Sequence, residues 1–244
     1  MRRLIAFPCE GETLVGTLDE AAGATGLLIV SGGNELRCGA HRGMAMLAAS
    51  LAARGYPVFR FDRRGVGDSS GENRGYASSG PDIRAAAARF RAESPGLKHL
   101  IGLGNCDAAA TLALFGAEAG LAGATFTNPW LGYDGPAPAA VRARYMARLR
   151  DPASWRRPPN PLKLLKGLRR LVAKPSEPDL ADAYRSCPVP AAVILAEGDA
   201  TAQAYRAAMR GTFANIRTSS HSFADAADEL EAAVLAALER YSAA

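Results

Sequence analysis

The chain has 244 residues, 48% hydrophobic and 22% charged, with a formal net charge of +5. That length supplies a large core, and the composition is that of a globular protein, not a disordered or fibrous one. The positive charge is local, since eight arginines and three lysines face one acid, Asp151, between Arg142 and Lys174, which argues against a general nucleic-acid binder.

Short apolar runs alternate with helical patterns along the chain. "RRLIAFP" and "TLVGTLD" read as a leading hairpin with Gly11 near its turn. The opening stretch carries two arginines, but its apolar run is broken by Pro8 and Glu10, so no secretory signal is read and a cytoplasmic location is expected. "TGLLIVSGG" (25–33) is a strand ending in two glycines, and the helix 41–56 places Met44, Leu47, Leu51 and Ala52 on one face. "PVFRFD" (57–62) is the next strand, followed by a glycine-punctuated loop and a helix over 81–94 that opens on Pro81. The strand "LKHLIGLG" leads into an Ala-rich helix after Cys106, and "GATFTNP" (123–129) is another strand.

The alternation then breaks. Residues 130–187 hold both tryptophans, the proline cluster "RRPPNP" and most of the positive charge. It resumes with the strand "PAAVILAEGD" (190–199), the helix "ATAQAYRAAMRG", the short strand "NIRTSS" and an amphipathic terminal helix. Such alternation predicts an α/β fold, a mainly parallel sheet with helices on both faces, formed by residues 1–129 and 188–244. Residues 130–187 are then a helical cap inserted at the carboxyl ends of the strands, where ligands bind in such folds.

Four cysteines lie far apart with no C-x-x-C pair, so neither zinc nor a structural disulfide is expected. Cys106 stands out because Gly104-Asn105-Cys106-Asp107-Ala108 has the form of the G-x-S-x-G turn between strand and helix, with Cys for Ser and Ala for the last Gly. On that fold the order is nucleophile, acid, histidine. His221 is the one histidine after Cys106, and Asp199 directly follows a strand. An oxyanion hole needs two backbone N–H donors. Asp107 supplies one, and Gly33 or Asn34 supplies the other. A carboxylate beside a thiol disfavours the thiolate, so Glu35, turned inward, would keep Cys106 protonated. His41 and His99 read as structural, and no metal or cofactor is assigned.

"SGGNELRCGAHRG", "FRFDRRGVGDSSG", "GLGNCDAAA", "TNPWLGY", "ILAEGDATAQ" and "SHSFAD" together resemble the "hydrolase 1, exosortase A system-associated" family of bacterial α/β-hydrolases. The resemblance spans nearly the whole chain and implies a Cys106–His221–Asp199 triad. The chain departs from it at Asn105 and at Asn34-Glu35. The expected activity is hydrolysis of an ester, thioester or lactone carbonyl on a small-molecule or acyl substrate. An acyltransferase working through the same acyl-enzyme, and a non-catalytic partner of a membrane sorting apparatus, are the alternatives. In 160–174, Leu164, Leu165, Leu168, Leu171 and Val172 share a face flanked by Lys163, Lys166, Arg169 and Arg170. This is a lid helix that could also meet an anionic inner-membrane surface.

Overall fold

The computed structural model of the chain describes residues 1–132 and 179–242. Eight strands form one sheet in the order β1-β2-β4-β3-β5-β6-β7-β8. β1 (Arg2–Cys9) and β2 (Glu12–Asp19) form the leading hairpin. Glu10 and Gly11 turn it with φ of 48° and 84°, positive at both positions as a two-residue turn matched to strand twist demands. β3 (Thr25–Val30), β4 (Val58–Phe61), β5 (His99–Asn105), β6 (Gly123–Thr127), β7 (Ala191–Ala196) and β8 (Ala214–Ile216) are mutually parallel. β2 alone runs against its neighbours.

Helices cover both faces, as the alternating sequence pattern predicts. On one face lie α1 (Gly43–Ala53) and the terminal helix α6 (Ala227–Ser242). They bury Leu47, Ala48, Leu51, Leu230, Val234 and Leu238 against Leu27, Ile29 and Ile101. On the other lie α2 (Gly80–Glu93), α3 (Asp107–Phe115), α4 (Leu180–Arg185) and α5 (Ala200–Ala208). There Ile83, Phe90, Leu112 and Tyr205 pack with Leu28, Val30, Phe59 and Phe61. Successive residues of β3 and β5 therefore face opposite cores, which is why these strands read as unbroken apolar runs. Each such Leu, Ile or Phe contributes about 1.5–3 kcal/mol by leaving water.

α4 falls within the 130–187 segment that the sequence assigns to the insertion, and no helical pattern marked it there. Its Leu180 and Tyr184 join the core cluster, as does Leu131 at the insertion's other end. The amphipathic stretch 160–174 lies outside the described residues.

One motif ties the hairpin, the loop after β3 and α2 together. Asp62, fully buried, accepts the Arg37 N–H at 2.7 Å, pairs with the Arg37 guanidinium, and accepts the Asp68 N–H at 3.2 Å. Arg64 pairs with Asp82 at 2.5 Å in the first turn of α2. The Cys9 thiol donates to the same Asp82 at 3.5 Å. Burial, and then the Asp82 charge, push the Cys9 thiol from 9.0 up to about 11. A thiol harder to ionise in the folded state stabilises the fold below pH 9, and that contribution is lost as pH rises toward 11. In urea titrations across this window, the parent should lose stability more steeply than Cys9→Ser, which has no thiol to ionise. Parallel curves would assign the alkaline limb to other groups.

Candidate active site

The carboxyl ends of β3, β5, β6 and β7 lie side by side, with Val30 opposite Gly104, Asn105 opposite Thr127, and Thr127 opposite Ile194. Between β5 and α3 the chain turns on Cys106, whose φ is 57° and ψ −122°. That conformation is strained for any residue with a Cβ. It is held by neighbours, since the Cys106 N–H donates to the Thr127 carbonyl at 3.0 Å and its own carbonyl accepts from Ala109 at 3.2 Å and Trp130 at 3.3 Å. Gly104 is required because a Cβ there would sit 2.7 Å from the Ala108 carbonyl. Ala108, fully buried, fits where the motif usually has glycine. Cys106 is only partly buried.

His221 lies in the loop between β8 and α6, and its Nδ1 is 3.0 Å from Asp199 Oδ2. Asp199 follows β7 and also caps α5, its Oδ1 accepting the Ala202 N–H at 2.9 Å. One carboxylate therefore serves as both helix cap and histidine partner. The His221 side chain is 39% exposed and that of Asp199 11%, so the ring is reachable while its acid is shielded. The Asn105 amide donates to the His221 carbonyl at 3.3 Å, which sets the histidine loop directly against the elbow.

The loop after β3 approaches the elbow from the other side. Gly33 has φ 50° and its N–H donates to Asp107 Oδ1 at 2.7 Å. The Gly33 carbonyl accepts from Arg63 at 2.7 Å and from Asn73 at 3.1 Å. Of the two candidate donors on this loop, Gly33 has its N–H engaged by the Asp107 carboxylate. Glu35 accepts the Ala40 N–H at 2.8 Å and closes its own loop. The carboxylate that contacts the loop backbone from the elbow is that of Asp107.

Aromatic rings wall the elbow. Trp130 packs edge-on to Tyr76 with centroids 5.6 Å apart, and Tyr184 donates its hydroxyl to the Trp130 carbonyl at 3.1 Å. Burial pushes the Tyr184 phenol well above its usual range, and nearby Tyr205, Cys106 and Asp107 add to the effect. It stays a neutral hydrogen-bond donor at ordinary pH.

The sequence matches the model of the alpha/beta hydrolase family over residues 27–233. The chain belongs to this family. Its fold is the α/β-hydrolase fold, and solved structures of that fold superpose along nearly its full length. An esterase from Pyrococcus furiosus matches with TM-score 0.69 and 16% identity, covering 99% of this chain and 91% of its own. A serine hydrolase without lid from Xanthomonas campestris matches at 0.65 and 16%, covering 98% and 94%. A proline iminopeptidase from Mycobacterium smegmatis matches at 0.64 and 15%, covering 98% and 99%. No curated protein sequence matches the chain.

In this alpha/beta hydrolase family member, three residues around the site carry roles that sequence reading did not assign. Asn128, fully buried with φ 42°, donates to the His221 carbonyl at 3.0 Å and accepts the Ala196 N–H at 2.8 Å. It joins the ends of β6 and β7 to the histidine loop. Asn105 adds the second bond to that loop while its Oδ1 accepts from Thr127 at 3.0 Å. Arg63, 2% exposed, reaches Ser79, Gly33 and Asp107. An Asn at each of two adjacent strand ends was the available signal, since Asn tolerates the left-handed region and pairs with backbone. His41 stands just before α1 with φ 52°, and His99 opens β5. Among the described residues no helix is long and apolar enough to cross a membrane.

Proposed function

We propose that the chain is a hydrolase in which Cys106 attacks an ester-type carbonyl, with His221 as base and Asp199 as its partner. The observation that carries this reading is the 3.0 Å His221–Asp199 pair, tied through Asn105 to an elbow that presents a partly exposed thiol. His221 takes the thiol proton as sulfur bonds to the carbonyl carbon, and the carbonyl oxygen becomes an oxyanion held by the Asp107 and Asn34 N–H groups. Collapse breaks the bond to the leaving group, which departs with the proton from His221. That leaves an acyl thioester on Cys106. Water then repeats the sequence, delivering a carboxylic acid and the free thiol. Asp199 keeps the ring oriented and stabilises its charged form.

Thiolate is itself a good leaving group, so a tetrahedral intermediate with a poor alternative collapses backwards. Activated esters, thioesters and lactones are therefore the substrates of this reading, rather than amides. A cap over the site at 130–187, a link to an exosortase system and contact of the basic stretch 160–174 with anionic membrane belong to the same proposal. They rest on the sequence pattern and the resemblance alone.

Exposure to p-nitrophenyl butyrate followed by rapid acid quench should add one butyryl group to the intact protein. Peptide mapping should place it on Cys106, and Cys106→Ala should remain unlabelled. A label on another residue, or none in the parent, would overturn the nucleophile assignment.

A further inference from the structure

The residue after a nucleophile lends its backbone N–H to the oxyanion, and its side chain is left to other work. Here that side chain is a carboxylate. Asp107 Oδ1 accepts the Gly33 N–H at 2.7 Å, so a single side chain bridges the elbow and the loop opposite. The approach is close because residue 32 is glycine, where a Cβ would stand 2.5 Å from the same Oδ1. Asp107 Oδ2 lies 3.8 Å from Arg63, and Arg63 also holds the Gly33 carbonyl at 2.7 Å, with Asn73 beside it at 3.1 Å. Both polar groups of the Gly33 backbone are thereby engaged.

That fixes the next peptide too. In a trans peptide, the carbonyl of one residue and the N–H of the next point in opposite directions, and the described chain has no cis bonds. Holding the Gly33 carbonyl on Arg63 and Asn73 therefore turns the Asn34 N–H the other way, out of the buried cluster. Arg63 has a second effect. A bare carboxylate beside a developing oxyanion would oppose it, and a buried guanidinium beside that carboxylate offsets the charge.

We propose that the Asp107 side chain is a positioning residue that locks the two oxyanion donors, the N–H groups of residues 107 and 34, at one separation and orientation. Arg63 supplies the opposite grip and the compensating charge. This rests on the reading of Cys106 as the acylated nucleophile, and the test separates the two.

Two reactions of the same thiol distinguish positioning from general damage. Acylation by p-nitrophenyl acetate forms the S–C bond, releases p-nitrophenolate and passes through an oxyanion. Alkylation by iodoacetamide forms an S–C bond at a saturated carbon, releases iodide and has no oxyanion. Asp107→Ala should slow acylation about 100-fold while changing alkylation less than about threefold. Asp107→Asn, which still offers Gly33 an acceptor, should restore acylation to within about tenfold of the parent. Asp107→Ser, too short to reach Gly33, repeats the comparison should the alanine variant not fold. Equal slowing of both reactions, or an asparagine variant no faster than alanine, would overturn the proposal. A parent that is alkylated but never acylated is a different outcome, and removes the nucleophile reading itself.

Discussion

Alanine at position 221 should lower kcat toward an activated ester roughly 10⁴-fold, the size expected when a general base and acid is removed from a nucleophile that depends on it. Position 199 offers a finer version of the experiment. Its carboxylate does two separable things, accepting the Ala202 N–H through Oδ1 and meeting His221 through Oδ2. Asp199→Asn keeps an oxygen for the helix cap and loses the charge. It should fold with stability within about 0.5 kcal/mol of the parent, yet lose about 10²- to 10⁴-fold in kcat. Asp199→Ala loses both functions and should cost about 1 kcal/mol of stability as well. Because the residues act as a unit, His221→Ala combined with Asp199→Asn should be little slower than His221→Ala alone. Steady-state kinetics and urea unfolding on the same preparations decide it. A His221→Ala variant within tenfold of the parent would remove the histidine from the mechanism.

The largest stability effect near the site is expected at Asn128. Its buried amide satisfies the Ala196 N–H on one side and the His221 carbonyl on the other, from a backbone at φ 42°. Asn128→Ala orphans a buried donor at a cost of about 1–3 kcal/mol. It also places a residue less tolerant of the left-handed region there, for about 1 kcal/mol more. We expect a total loss of about 3 kcal/mol, read as a lower urea midpoint with unchanged slope. Asn128→Gly relieves the backbone but restores neither hydrogen bond, so it should recover only the smaller part. Activity should fall along with stability, since the histidine loop loses one of its two amide anchors while Asn105 remains. An Asn128→Ala protein with the parent's midpoint would show that water satisfies the Ala196 N–H instead.

Several of these features were legible before any coordinates. Periodicity located all eight strands, but the runs 25–33, 190–199 and 215–220 overshoot the ends of β3, β7 and β8 by three or four residues. A strand buried on both faces, such as Thr25–Val30, is continuously apolar and bounded by glycine. The Gly104 and Ala108 pair around Cys106 marked a tight turn because only small side chains fit where strand and helix touch. α4 escaped because six residues carry too little periodicity to stand out, and its apolar Leu180 and Tyr184 find their purpose only against the core. Gly33 and Asn34 could not be told apart by sequence, because the carboxylate that takes up the Gly33 N–H lies 74 residues away in the chain.

The amino-acid order by itself determined the fold class and the tight turn at Cys106, because each is written in local spacing, and the proposed triad rests on the chain order Cys106, Asp199, His221. Only the packed structure decided how that site is held. The amides of Asn105 and Asn128 on one loop, and the Asp107–Arg63 grip on another, are contacts between segments far apart in sequence. Hydrogen bonds of that kind depend on where strand ends converge, and no local pattern of residue types encodes that convergence.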